Sequence, residues 1–285
     1  MNTLGYLWHM GAIRRIFNGY LDASIHVSLS LVSLVAYTRL TSGAGISPVY
    51  YGALFLGGIA GYNALKYGAD PWKQYPLPGR KFRRIFVFSL LCLGGAAGFL
   101  AVLPPRYWVL LGLSGVLAAL YGLPLMPGFR NLRSFGWIKV PLVAAVWTAL
   151  TVPVPLLGEA FAWRWDFGVE SVQRFLWISI LMLPFEIRDM RTDPPDLHTL
   201  PRLWGLPATR SVGWAACAVL VLMPALKDAP VTSDWVGSTL AAAFCAWAVF
   251  RSQPDRNRLF TAFWVESIPI AVYAGCRIGC WYYGC

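Results

Sequence analysis

Nine stretches of the chain are almost free of charge, at about 23–38, 46–65, 85–105, 107–129, 140–158, 175–185, 211–226, 235–250 and 259–276, the last broken by Glu266. A helix needs roughly 20 residues to cross the hydrocarbon of a bilayer, with a working range of about 17–25. The pattern therefore predicts an all-α protein, a polytopic bundle of about nine transmembrane helices forming one integral-membrane domain over 1–285. The sixth run is too short alone and crosses only by taking in Ser171–Arg174 and part of the acidic stretch that follows it. The alternative is eight spans with that run re-entrant. Pro104, Pro105, Pro153 and Pro155 interrupt other runs, which a bundle tolerates where neighbours satisfy the freed backbone groups.

Basic residues sort by alternate loops. The N-terminal segment and the loops at 68–84, 125–139, 187–210 and 251–258 hold 17 Lys and Arg, against five (Arg39, Arg106, Arg164, Lys227, Arg277) in the other set. That bias predicts a cytoplasmic N-terminus and a C-terminus outside, since cytoplasmic loops collect Lys and Arg. It implies a multi-pass protein of the cell inner or plasma membrane with its polar loops, about 63–84 and 186–210, on the cytoplasmic side.

Composition agrees. Of 285 residues, 57% are hydrophobic and only 13% charged, about half the roughly 25% typical of soluble domains. Mean hydropathy is +0.54. Disordered, collagen-like and coiled-coil chains are excluded, and a soluble domain could not cover its surface. The net charge of +11 reads as membrane topology, with no nucleic-acid partner. Cys92, Cys217 and Cys245 lie inside apolar runs as buried fillers. Cys276, Cys280 and Cys285 cluster at the end, where an outside location would permit a disulfide. No CxxC pair or signal-peptide cleavage pattern is read.

Two helix ends match. The second run closes with Asn63, Lys66 and Asp70, the sixth with Glu186, Asp189 and Asp193. Both sets fall at i, i+3 and i+7, on one helical face. Separated by four helices, both ends leave on the same side and can face one cavity. Three carboxylates on one face repel and lose hydration near hydrocarbon. A bound cation removes both costs, and Mg²⁺ favours one or two carboxylates with substrate phosphates and water. The competing reading is an interfacial salt-bridge network with Arg188, Arg191 and Arg202.

The segment from Phe185 to Leu203, with Glu-Ile-Arg-Asp-Met-Arg-Thr-Asp at 186–193 and Thr-Leu-Pro at 199–201, resembles the second aspartate-rich motif of the UbiA family of intramembrane prenyltransferases (D-I-R-D-x-x-x-D, then T-L-P). Tyr121-Gly-Leu-Pro124 resembles that family's Tyr-containing segment. The first motif is degenerate: on an Asn63 alignment, Ala64, Tyr67 and Pro71 stand where the family has acids, and Lys66 occupies the middle of the face. Leu125 replaces the Lys four after Tyr121, leaving Lys139 as the nearest basic residue.

The resemblance implies nine helices, an N-in orientation and transfer of a prenyl group from a prenyl diphosphate to an apolar acceptor, aromatic compounds among them. It implies Mg²⁺ held by Glu186, Asp189 and Asp193, with Lys66 supplying charge to the diphosphate. Asn63, Asp70, Arg188, Arg191, Lys139, Arg202 and Tyr121 would bind substrate. The family ionises the diphosphate to an allylic cation in a water-free aromatic cavity. A second reading pairs Lys66 with Asp189 or Glu186 without metal, giving a non-catalytic membrane partner; a related chemistry on a prenyl diphosphate, such as terpenoid cyclisation, is a further alternative. A transporter would show inverted repeats around a midplane site, whereas these helix ends run in the same direction at the surface.

Other polar positions have plainer expectations. Asp22 and His26 read as an interfacial pair, and Arg14 and Arg15 as contacts with anionic lipid. Glu266 is divided between function and a structural hydrogen bond. The Gly57-Gly58-x-x-Gly61 run suggests close packing of the second span, Tyr107, Trp108, Trp137, Trp235 and Trp281 suggest interface belts, and Tyr62, Tyr121, Trp147 and Phe185 are divided between cavity walls and ordinary core or lipid-facing packing.

Overall fold

A computed structural model of the protein describes residues 3–67, 79–122, 136–159, 164–193 and 197–283. Helix dominates them, and no strand occurs among the described residues. The order is α1 (Thr3–Asp22), α2 (Ile25–Ser42), α3 (Pro48–Tyr67), α4 (Gly79–Val102), α5 (Pro105–Gly122), α6 (Lys139–Thr151), α7 (Pro153–Gly158), α8 (Trp165–Asp189) and α9 (Leu200–Leu222). A 3₁₀ turn (Met223–Leu226), α10 (Thr232–Arg251), a π-helical turn (Phe260–Val265) and α11 (Ile268–Tyr283) complete it.

Among the described residues, three helical stretches are long and apolar enough to cross a membrane: α4, α6 with α7, and α9 with its 3₁₀ turn. Their outer faces remain apolar, with Phe86 and Leu91 of α4 and Leu222 of α9 more than half exposed. Contiguous exposed apolar surface of this kind needs lipid. This is a membrane protein.

The remaining helices score as less apolar because they bury polar groups against one another. In α8, Glu170, Gln173 and Arg174 are all within 4% of full burial. Arg174 donates to the Leu34 carbonyl at 3.1 Å, to Thr151 Oγ1 at 3.0 Å and to Thr38 Oγ1 at 3.1 Å. Lys227 joins Glu170 at 3.4 Å and Asp234 at 2.6 Å. A buried charge survives only when paired and hydrogen-bonded, and these partners come from α2, α6, the 3₁₀ turn and α10. That network lets α8 run as one helix of 25 residues, well beyond the short charge-free run inside it.

α2 packs on α3, α6, α10 and α11, and α8 on α6, α9 and α10. Contacts between helix ends collect at two poles. One pole gathers the ends of α1, α3, α8 and α10 with the starts of α2, α4, α6 and α9. Its markers are Asn63 to Ala23 O, Lys139 to Glu186, and Arg210 to Ser252 O. The other pole holds the Glu170–Lys227–Asp234 cluster and the ends of α2 and α11.

Glycine permits the closest approaches. A Cβ on Gly58 would stand 2.9 Å from Ser28 Oγ, whereas one on Gly57 meets only Ala96 at 3.8 Å and one on Gly61 meets nothing. The tight glycines of α3 are Gly58, within the expected run, and Gly52, whose Cβ would stand 2.9 Å from the Phe99 ring. Two expectations need correction. Tyr107 is fully buried, its hydroxyl donating to Glu159 Oε1 at 2.8 Å, because Gly158 admits its ring. Cys276 is 1% exposed inside α11, near the Ser233 carbonyl, and not on an outer surface. Cys92, Cys217 and Cys245 are buried as expected.

Candidate functional site

The ends of α3 and α8 stand at the same pole. On α8, Pro184 carries the helix into Glu186, Arg188 and Asp189. Glu186 is 0% exposed, and Lys139 at the start of α6 places its Nζ 2.5 Å from Glu186 Oε1. Its second oxygen, Oε2, is buried with no hydrogen-bond partner among the described residues. Asp189 and Asp193 lie close enough to act electrostatically on the same carboxyl. Arg188 grips Asp189 with two hydrogen bonds, 2.6 Å to Oδ1 and 2.9 Å to Oδ2, and also donates to Thr261 Oγ1 in the π-helical turn.

The loop after α8 is organised by Arg202. Its guanidinium donates to the carbonyls of Met190 (2.6 Å), Asp193 (2.6 Å) and Leu197 (3.2 Å), holding the segment that carries Asp193. Gly136, at φ +59, lets this loop approach closely, since a Cβ there would fall 2.5 Å from the His198 backbone. Arg191 instead makes an exposed ion pair with Asp255 at 2.9 Å, a surface contact of little energetic weight.

On α3 the polar face turns to the end of α1 and to α4. Asn63 donates to Ala23 O at 3.1 Å and Ser89 Oγ at 2.9 Å, and Lys66 to Leu21 O at 3.1 Å and Asp22 O at 3.3 Å. Tyr67 adds a bond to Asp22 O at 2.8 Å. These side chains satisfy the last carbonyls of α1, which otherwise lack intrahelical partners. Ser24 at φ 58 makes the junction, where the chain bends by 59°. Lys66 and Asn63 therefore do not bond Glu186, Asp189 or Asp193. Asp70 lies outside the described residues, and of Tyr121 only its place in α5 is described.

Asp22 is held by Lys81 and by Arg258 at 2.9 Å, while His26 bonds Tyr20 at 2.7 Å and Ser267 at 3.0 Å. The expected Asp22–His26 pair does not form, because each finds a partner from another element. Burial pushes the Asp22 carboxyl up, but the hydrogen bond and charge of Lys81 with the charge of Arg258 outweigh it and leave the carboxyl below its ordinary value. A depressed carboxylate stabilises the fold above its unfolded pKa of about 3.9 and loses that contribution as pH falls through the folded value. The melting temperatures of wild type and Asp22→Asn are expected to differ at pH 7 and to converge below about pH 4; a pH-independent gap contradicts this assignment.

One acid joins the two helix ends. Glu266, following the π-helical turn at the start of α11, is half-buried and within electrostatic reach of Lys66, Arg258 and Arg188. Its carboxylate makes no hydrogen bond or salt bridge among the described residues. Single π turns occur frequently at functional sites. The sequence signal for this residue was an acid inside an apolar run; its neighbours were not legible. Trp147 donates to the Tyr62 hydroxyl at 2.6 Å with rings edge to face, and Arg188 lies over the Phe185 ring.

No family model, curated protein or solved structure matches the chain.

Glu186, Asp189 and Asp193 carry the oxygen donors that a divalent cation takes, although Glu186 and Asp189 are already paired with Lys139 and Arg188. The donors are hard carboxylate oxygens, and the orphaned Glu186 Oε2 is the kind of buried atom that a missing ligand explains. Among the described residues no three His, Cys, Asp or Glu side chains gather closely enough to hold a metal alone. Mg²⁺ characteristically completes its shell with phosphate and water.

Proposed function

We propose that the protein is a membrane-embedded prenyltransferase of the UbiA type, with nine membrane spans, a cytoplasmic N-terminus and a C-terminus outside. It moves a prenyl group from a prenyl diphosphate to an apolar acceptor at the cytoplasmic pole. The observation carrying this reading is the acidic face of α8, Glu186, Asp189 and Asp193, at the pole where α3 also ends. Lys66, Arg188 and Arg258 all act electrostatically on Glu266 at that pole. Such an excess of cations over a half-buried mouth suits a diphosphate, and the Tyr62–Trp147 pair and Phe185 supply an apolar, aromatic floor.

Each side chain has a role. Glu186, Asp189 and Asp193 would hold Mg²⁺, which when bound neutralises charge on the leaving diphosphate. Lys66 and Arg258 act as point and forked cations on the diphosphate oxygens. Arg202 positions the Asp193 segment, and Lys139 keeps Glu186 in place. As the C1–O bond breaks, the diphosphate leaves with its electron pair, and ring faces stabilise the allylic cation. Glu266, free of hydrogen bonds, accepts the proton that the acceptor loses.

The test is purified protein in liposomes with radiolabelled prenyl diphosphates of several lengths and aromatic acceptors. A lipid-soluble labelled product is expected, with Glu266→Gln slowing its formation by roughly 10²-fold or more without loss of diphosphate binding. Absence of product across donors, with labelled diphosphate left intact, contradicts the proposal.

A further inference from the structure

At the opposite pole, α2 and α11 leave a notch of about 310 Å³ lined by Ala36, Arg39, Leu40, Tyr273 and Arg277. Its size is at the lower end of the roughly 300–1,000 Å³ of ligand sites. The five basic residues assigned to this side divide sharply in their partners. Arg106 donates to the Gly158 carbonyl, Arg164 stacks on Phe167, and Lys227 pairs with Glu170 and Asp234. Arg39 and Arg277 have no carboxylate partner among the described residues, yet both line the same notch.

Two guanidiniums converging without an acid repel, and a shared anion reverses that cost. Guanidinium binds phosphate oxygens in a two-pronged fashion. Tyr51 lies beside Arg39, and Tyr273 lines the wall, supplying hydroxyls near the headgroup level where Tyr concentrates. Next to Arg277, Ile278 is 59% exposed, and Ala36 and Leu40 extend the apolar flank along α2. A soluble anion would use the arginines and leave that flank uncovered, whereas a phospholipid uses both.

We propose that the α2–α11 notch is a binding site for an anionic phospholipid, with its phosphate between Arg39 and Arg277 and an acyl chain along Ala36, Leu40 and Ile278. The site depends on α2 and α11 spanning the membrane and is independent of prenyl transfer.

Detergent-purified wild type, Arg39→Gln/Arg277→Gln and a charge-matched control, Arg83→Gln/Arg84→Gln on the exposed start of α4, are mixed with dioleoyl phosphatidylglycerol or dioleoyl phosphatidylcholine. Retained lipid is counted by native mass spectrometry, and folding is checked by circular dichroism. Phosphatidylglycerol retention is expected to fall about tenfold in the notch variant, the size of one lost charge-assisted contact, and to stay at the wild-type level in the control. Phosphatidylcholine retention should be equal in all three. Equal phosphatidylglycerol retention by wild type and notch variant overturns the proposal, as does an equal loss in the control. Stabilisation of wild type by inorganic phosphate alone, matching that by phosphatidylglycerol, reassigns the site to a soluble anion and also overturns it. Should the double variant not fold, the Arg39→Lys/Arg277→Lys pair, which keeps charge but loses the fork, must still retain less phosphatidylglycerol than wild type.

Discussion

Asp189→Ala and Asp193→Ala are each expected to lower prenyl-transfer turnover by about 10²–10³-fold, the scale on which one preorganised charge at a developing anion contributes to catalysis. The two should fail for different structural reasons. Asp189 is fixed by two hydrogen bonds from Arg188, which itself reaches the π-helical turn, so its loss frees a cation at the mouth. Asp193 sits on a loop tied by Arg202 to three carbonyls, so its loss removes charge while the loop stays anchored. Asp189→Asn separates charge from shape and should be nearly as inactive as Asp189→Ala. Melting temperature must be followed alongside turnover. Activity at the wild-type level in both alanine variants ends the enzymatic reading.

The largest stability effect is expected at Lys139. Its Nζ lies 2.5 Å from a carboxylate that is fully buried. Removing one member of a buried pair strands the other charge, at a cost of about 3–5 kcal/mol. For a chain of this size that is a melting-temperature drop of about 6–15 °C for Lys139→Met. Replacing both partners, as Lys139→Met with Glu186→Leu, should return most of the loss, because a well-packed apolar pair is often neutral relative to a buried ion pair. Turnover should not return with it, since Glu186 belongs to the acidic face. A cost below about 1 kcal/mol for Lys139→Met would mean that the pair is solvated.

The helices were largely legible, since each charge-free run is mostly helical where its residues are described. The full extent of α8 was not, because Glu170, Gln173 and Arg174 break the apolar run and their partners lie on four other elements. α1 was missed because Arg14, Arg15 and Asp22 cut its apolar run short of a span, and its carbonyl end is satisfied by Lys66 and Tyr67, more than 40 residues away. The spacing of Asn63 and Lys66 put them on one face, expected to look toward the α8 acids. It could not tell that their bonds go to the carbonyls of Leu21, Asp22 and Ala23. Long-range polar partners, which periodicity does not encode, account for each of these differences.

Thermal stability of the purified protein under a joint titration of Mg²⁺ and pyrophosphate tests the shared diphosphate site most directly. Because Lys139 and Arg188 already neutralise Glu186 and Asp189, Mg²⁺ alone should shift the melting temperature little. Mg²⁺ with pyrophosphate at about 100 times its dissociation constant should add about 2.7 kcal/mol, or roughly 5 °C, and the gain should vanish in Asp189→Ala. An unchanged melting temperature under both ligands together contradicts the account.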